Sequence, residues 1–201
     1  KELSTKLKDM VFKGGTSLTK CYQLLDRFSE DIDLSYTAES GVPGDARKKQ
    51  LKKAVVSTLE SLELTINNLE NTRSRRNYNC YRASYPSIYD NSPFPITTQA
   101  MERTLVDKNF AICDYYFDGK TEKHSRHLYD IHKIYTNMEI PEDFRDLITS
   151  VRSLRSELAV CPSAKDGVDI TKVLQEIIDT EAYKNDYEEI TSGLLFTPLD
   201  Y

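Results

Sequence analysis

The chain has 201 residues, 39% hydrophobic and 29% charged, with a formal net charge of −5 at pH 7. That length allows one large domain or two small ones with a true core. No apolar run approaches membrane-spanning length, no secretory signal pattern is visible, and the acidic balance argues against general nucleic-acid affinity. The four cysteines, Cys21, Cys80, Cys113 and Cys161, are scattered, without Cys-x-x-Cys spacing or a zinc-spaced histidine. They read as reduced, buried thiols in a cytoplasm.

In chain order, Asp9-Met10-Val11-Phe12-Lys13 carries a short apolar run that predicts a brief buried strand. Gly14 and Gly15 follow as a turn that lets another group approach the main chain closely. Thr16 or Ser17 can cap a helix over about 17–25, with Leu18, Cys21, Tyr22 and Leu25 on its inward stripe. The free amides at its start, and the hydroxyls of Thr16 and Ser17, favour an anion such as phosphate. Asp31-Ile32-Asp33-Leu34-Ser35-Tyr36 alternates like a strand. Side chains at i and i+2 share a face, which points Ile32 and Leu34 inward and pairs Asp31 with Asp33 outside. Two adjacent carboxylates repel unless a cation sits between them, and hard oxygen donors of this kind suit Mg²⁺. Alone, a Gly-Gly-Thr is an ordinary turn and an Asp-x-Asp an ordinary strand edge; a helix between the two, in this order, makes the combination informative.

Beyond a Gly41-Val42-Pro43-Gly44 break, a helix is predicted over 45–62 with Leu51, Ala54, Val55, Thr58, Leu59 and Leu62 on one stripe. Leu64–Leu69 and Tyr78–Tyr85 read as two further strands, and the turn-rich segment from Pro86 to Pro95 as a link. From Thr98 the pattern is helical, over about 99–117, 124–137, 141–158 and 169–184, with Pro141 at a helix start and a break at Asp166-Gly167. The pattern is therefore α+β: a mixed domain at 1–97 and a helical domain at 98–201. His124, His127 and His132 cluster on one segment and read as surface histidines beside Asp130, with His127 available to order a ligand.

The block Phe12-Lys13-Gly14-Gly15-Thr16-Ser17-Leu18-Thr19-Lys20-Cys21-Tyr22, with Arg27-Phe28-Ser29-Glu30-Asp31-Ile32-Asp33-Leu34, closely resembles the signature of the AbiEii/AbiGii toxin family. These are MenT-like nucleotidyltransferases of the DNA polymerase β-like superfamily. Arg103-Thr104-Leu105-Val106-Asp107-Lys108 resembles the family's Thr-x-x-x-Lys helix, and Arg126-His127-Leu128-Tyr129-Asp130-Ile131 its Arg-His-x-x-Asp helix. The resemblance spans about residues 10–136.

It implies a nucleotidyltransferase-fold domain with a small mixed sheet, followed by a helical bundle, and an activity that moves a nucleotide from a nucleoside triphosphate to an acceptor hydroxyl. By the same resemblance, Gly14, Gly15, Thr16 and Ser17 cradle the triphosphate, Asp31 and Asp33 bind Mg²⁺, Lys108 contacts the nucleotide phosphates, and Asp130 helps bind or deprotonate the acceptor. The implied acceptor is tRNA, in a toxin–antitoxin or abortive-infection system with a cognate antitoxin protein as a possible partner. Arg47, Lys48, Lys49, Lys52 and Lys53 at one helix start, Arg73, Arg75 and Arg76 in a loop, and nearby tyrosines offer local contacts to RNA. Nucleotidylation of a protein acceptor, and a non-catalytic binding module on the same fold, stay open as alternatives. One departure stands out: the strand near 77–86 lacks the third metal carboxylate of many relatives, and Asp90 lies just beyond it. Either Asp130 fills that role or the metal is held more weakly.

Overall fold

The structure, a computed structural model, describes residues 1–7, 9–29, 31–36, 44–67, 80–81 and 94–201. The chain forms two compact units, Lys1–Phe12 with Leu34–Thr97, and Lys13–Asp33 with Thr98–Tyr201. It crosses between them three times, where the sequence suggests a single crossing near residue 97. The loop with the glycine turn and the Asp-x-Asp segment thus clusters with the helical residues.

The first unit contains α1 (Glu2–Lys6), most of β1 (Met10–Lys13), most of β2 (Asp33–Tyr36), α3 (Gly44–Ser61), β3 (Thr65–Ile66) and β4 (Cys80–Tyr81). Met10 and Phe12 alternate inward along β1 and are buried with Leu7. β1 pairs with β2, and Phe12 N–H donates to Thr97 O at 2.9 Å. α1 lies along the end of α3, where Ser61 Oγ donates to the Glu2 carboxylate at 2.8 Å and Lys6 Nζ to Ser57 Oγ at 3.2 Å. α3 matches the predicted helix, with Thr58 buried and Leu62 left exposed just past its end. β3 and β4 are antiparallel, Thr65 opposite Tyr81 and Ile66 opposite Cys80. Leu64 and Asn67 flank β3 without joining it, while residues 68–69, the remainder of the second predicted strand, the Arg73–Arg76 loop, Asp90 and Tyr78, Tyr85 and Tyr89 lie outside the described residues.

The second unit is built around α4 (Met101–Phe117), packed by α5 (Arg126–Thr136), α6 (Phe144–Ser156) and α7 (Ile170–Asp179). Three apolar clusters surround α4. Leu105 meets Leu18, Leu25, Tyr129, Ile134 and Tyr187. Val106 and Phe110 meet Val151, Cys161 and Ala164. Ile112 and Cys113 meet Val173, Ile177 and Tyr183. Each fully buried Leu, Ile or Phe here stabilises the fold by about 1.5–3 kcal/mol. A helix enclosed on so many sides must also bury polar side chains, and these are unfavourable unless paired. Asp114 accepts from Arg155 Nη2 (2.7 Å), Ser163 N (2.9 Å) and Ser163 Oγ (2.6 Å). Lys108 is the other buried charge on α4. The helices over 101–117 and 126–136 match expectation. α6 begins three residues past Pro141, whose carbonyl instead accepts from Phe144 N–H in the turn before it.

Two features hold the Arg27 segment and the start of α5 in place. The C-terminal tail pairs back on residues 26–28: Phe28 N–H donates to Leu194 O at 2.9 Å and Phe196 N–H to Asp26 O at 3.0 Å. Asp186, in the short helix α8 (Lys184–Asp186), accepts from Lys123 N (2.6 Å) and Ser125 N (2.9 Å). It thereby fixes Lys123 in a left-handed conformation, φ +65°, just ahead of α5.

Candidate active site

Between the strand residue Lys13 and the end of the Asp-x-Asp segment, the chain makes a compact hairpin within the second unit. Its first element, α2 (Gly14–Lys20), is shorter and earlier than predicted: it starts on the glycines and stops before Cys21, which is exposed. Leu25 is buried, but from the loop rather than from the helix. No side chain caps α2. Ser17 is fully buried, and its hydroxyl donates to Gly14 O at 2.8 Å. That corrects its expected role as a helix cap; the hydroxyl closes the turn from inside. Thr16 Oγ1 donates its one proton to the Asp31 carbonyl, so Ser29 Oγ, 2.6 Å away, donates to Thr16. The hydroxyl of Thr16 therefore ties the Asp-x-Asp segment to the glycine turn.

Both glycines are required by close approach. Gly14 has φ +76°, and the Asp33 carboxylate occupies the space a Cβ would need there. At Gly15 the Arg27 guanidinium fills that space, with Asp130 Oδ2 3.6 Å from the same point.

β2 begins only at Asp33, so Asp31 precedes the strand. Ile32 is 71% exposed, which overturns its predicted place in the core. Both acids are exposed, as expected. Asp31 Oδ2 lies 3.6 Å from Arg126 Nη2, while Asp33 lies against Gly14. Two exposed carboxylates held at a cradle without side chains fit a hard divalent ion that takes one or two protein oxygens and fills its shell with water and phosphate. Among the described residues no group of three His, Cys, Asp or Glu side chains gathers into a larger metal cluster.

Asp130 and Lys108 converge with a residue to which the sequence reading gave no role. Asp130, on α5, is fully buried. Arg27 Nε donates to Asp130 Oδ1 (2.7 Å) and Nη2 to Oδ2 (2.8 Å), while Lys108 Nζ donates to Oδ2 at 2.7 Å. Arg27 and Lys108 are themselves buried. Burial alone would raise the Asp130 carboxyl, but Lys108 and Arg27 more than offset it and hold it below the usual carboxylate range. A carboxylate so engaged anchors two cations. Two positive groups on one negative leave a net positive charge beside Gly15, which favours an anion. Nothing local in the sequence marks Arg27; only its burial in the fold requires a carboxylate partner.

His124 and His127 are half-buried. Tyr115 stacks on His124 with centroids 3.5 Å apart and planes 8° from parallel, and lies 5.6 Å from His127. His127 Nδ1 is 3.5 Å from Lys108 Nζ. Burial, then the neighbouring Lys108, push the His127 imidazole well below its ordinary value, against the opposing pull of Asp130. The neutral ring accepts from the ammonium. His132 is exposed, as predicted.

An α+β chain whose glycine turn faces a carboxylate pair and a buried Lys–Asp–Arg cluster has the makings of a phosphate-handling enzyme. The family model described as "Nucleotidyl transferase AbiEii toxin, Type IV TA system" matches residues 2–95 and 82–200. The chain belongs to this AbiEii family and is a nucleotidyltransferase, the toxin component of a type IV toxin–antitoxin system. No curated protein and no solved structure matches it. No helix among the described residues is long and apolar enough to cross a membrane.

Proposed function

We propose that the chain transfers a nucleotide from a nucleoside triphosphate to a tRNA hydroxyl in a Mg²⁺-dependent reaction. The observation that carries this reading is the double approach at the glycine turn: Asp33 on Gly14, and the Arg27–Asp130–Lys108 cluster on Gly15. The turn of Gly14, Gly15 and Thr16 receives the triphosphate, with Ser17 holding it from within. Asp31 and Asp33 are the ligands of Mg²⁺, which when bound neutralises charge on the phosphates. Lys108 is a compact point charge suited to a phosphate oxygen. Asp130 acts as a positioning residue that keeps Lys108 and Arg27 aimed. The acceptor hydroxyl oxygen forms its bond to the α-phosphorus as the bond from that phosphorus to the α,β-bridging oxygen breaks; the hydroxyl proton passes to solvent and pyrophosphate leaves.

The tRNA acceptor rests on the family resemblance and on the basic start of α3, where Lys48, Lys49 and Lys53 are exposed. A cognate antitoxin follows from the type of system; whether it touches this chain is a separate matter from catalysis.

The test is incubation with each α-labelled nucleoside triphosphate, Mg²⁺, bulk tRNA and a protein extract, followed by a gel. Label at tRNA size, lost with chelator and in Asp33→Ala, is expected. Label on protein instead would replace the acceptor, and no label on either would overturn the reading.

A further inference from the structure

Arg126 opens α5, four residues before Asp130 and next to His127. Its guanidinium is the cation that faces Asp31, at 3.6 Å, and its side chain is only one-third exposed while that of Asp31 is two-thirds exposed. The other two guanidinium or ammonium groups of the cluster, Arg27 and Lys108, are consumed by short bonds to a buried carboxylate. Among the described residues Arg126 is held differently, by one long pair to an exposed acid, which is a weak attachment in high dielectric. Its backbone is nonetheless fixed, because Asp186 clamps the residues just before α5.

We infer that Arg126 is an exchangeable counter-ion: it occupies Asp31 in the free protein and moves to a phosphate of the incoming metal–triphosphate, freeing the carboxylate for the metal. This rests on the nucleotidyltransferase reading above. A guanidinium and a divalent cation compete for one carboxylate, since each is stabilised by the same oxygens. A polyphosphate, by contrast, offers the planar fork paired oxygens at a more strongly charged group. Arg126 therefore weakens metal binding when nucleotide is absent and strengthens nucleotide binding when metal is present. The site is biased against holding a bare metal ion and toward taking metal and triphosphate together.

The experiment compares the full chain with Arg126→Ala and Arg126→Lys. Mn²⁺ binding without nucleotide is read by electron paramagnetic resonance, and binding of a non-hydrolysable α,β-methylene triphosphate with Mg²⁺ is read by calorimetry. In Arg126→Ala, Mn²⁺ alone should bind about three-fold or more tighter, as expected for loss of a competing charge near a partly screened acid. The analogue should bind roughly ten-fold weaker, as expected for loss of a charge-assisted contact. Arg126→Lys keeps the charge and loses the fork, so its Mn²⁺ affinity stays near wild type while its analogue affinity falls. That variant carries the test if Arg126→Ala does not fold. Shifts of both affinities in the same direction, or no shift in either, overturn the exchange while leaving the proposed function standing. Failure of the wild-type chain to bind the analogue with Mg²⁺ overturns both, and is recognised before any variant is examined.

Discussion

Arg27 and Asp130, 103 residues apart in sequence, meet in a two-pronged, fully buried ion pair at 2.7 and 2.8 Å. One end of that pair presses on the backbone of Gly15 and the other shares its carboxylate with Lys108. The glycine turn, the central helix α4 and helix α5 are joined at this point.

Removing the shared carboxylate strands two buried cations. Asp130→Asn should cost about 3–5 kcal/mol of stability, the usual penalty for breaking a buried pair from one side. Urea unfolding monitored by circular dichroism measures it; a loss below 1 kcal/mol would show that water reaches the cluster. The pH dependence has a definite sign. The carboxyl of Asp130 is lowered in the folded state, so its stabilisation is complete above the ordinary aspartate value near 4 and is lost as pH falls through the lower folded value.

Gly14 and Gly15 differ in what a methyl group would meet. Gly14→Ala adds left-handed strain of about 1–2 kcal/mol and displaces Asp33, an exposed acid. Gly15→Ala pushes the Arg27 guanidinium off its partner. The expected outcome is that Gly14→Ala lowers metal-dependent transfer more than stability, whereas Gly15→Ala lowers both. Parallel melts and transfer assays on the two variants decide it, and identical profiles would contradict the geometry.

His127 sets a second pH window. Its folded value is lowered, so the unfolded chain takes up a proton that the folded chain refuses. Stability should therefore decline as pH drops below about 6.5, well above the window of Asp130. His124 is lowered as well, by burial and by Arg126, and adds in the same direction. Denaturation curves between pH 8 and 5 should flatten in His127→Asn, and the imidazole resonances of His127 should titrate below the ordinary histidine range.

Asp33 is exposed and supports no core packing. Asp33→Asn should leave stability within about 0.5 kcal/mol while removing several kcal/mol of transition-state stabilisation, a loss of roughly a thousandfold or more in rate. A folded Asp33→Asn protein with near-normal transfer would remove Asp33 from the metal site.

Local rules made much of this protein legible in the sequence. The 3.6-residue periodicity located α3 and the helices at 101–117 and 126–136, because amphipathic stripes record which face is buried. Two glycines ahead of an Asp-x-Asp marked a place where backbone is approached closely, and the approach is real at both positions. Local rules misplaced Ile32, which alternation assigned to the core although the strand starts one residue later. They also extended α2 past Lys20, since apolar spacing alone cannot tell a continuing helix from a loop that buries Leu25 by another route. What only the tertiary structure decided was partnership. Nothing local to Arg27, Lys108 or Asp130 says that they share one dry cluster, because pairing across more than a hundred residues is set by how α4 and α5 pack around Leu18 and Tyr129. Side-chain type and spacing fixed which charges the chain carries; only the packed core, by excluding water, decided which of them must meet.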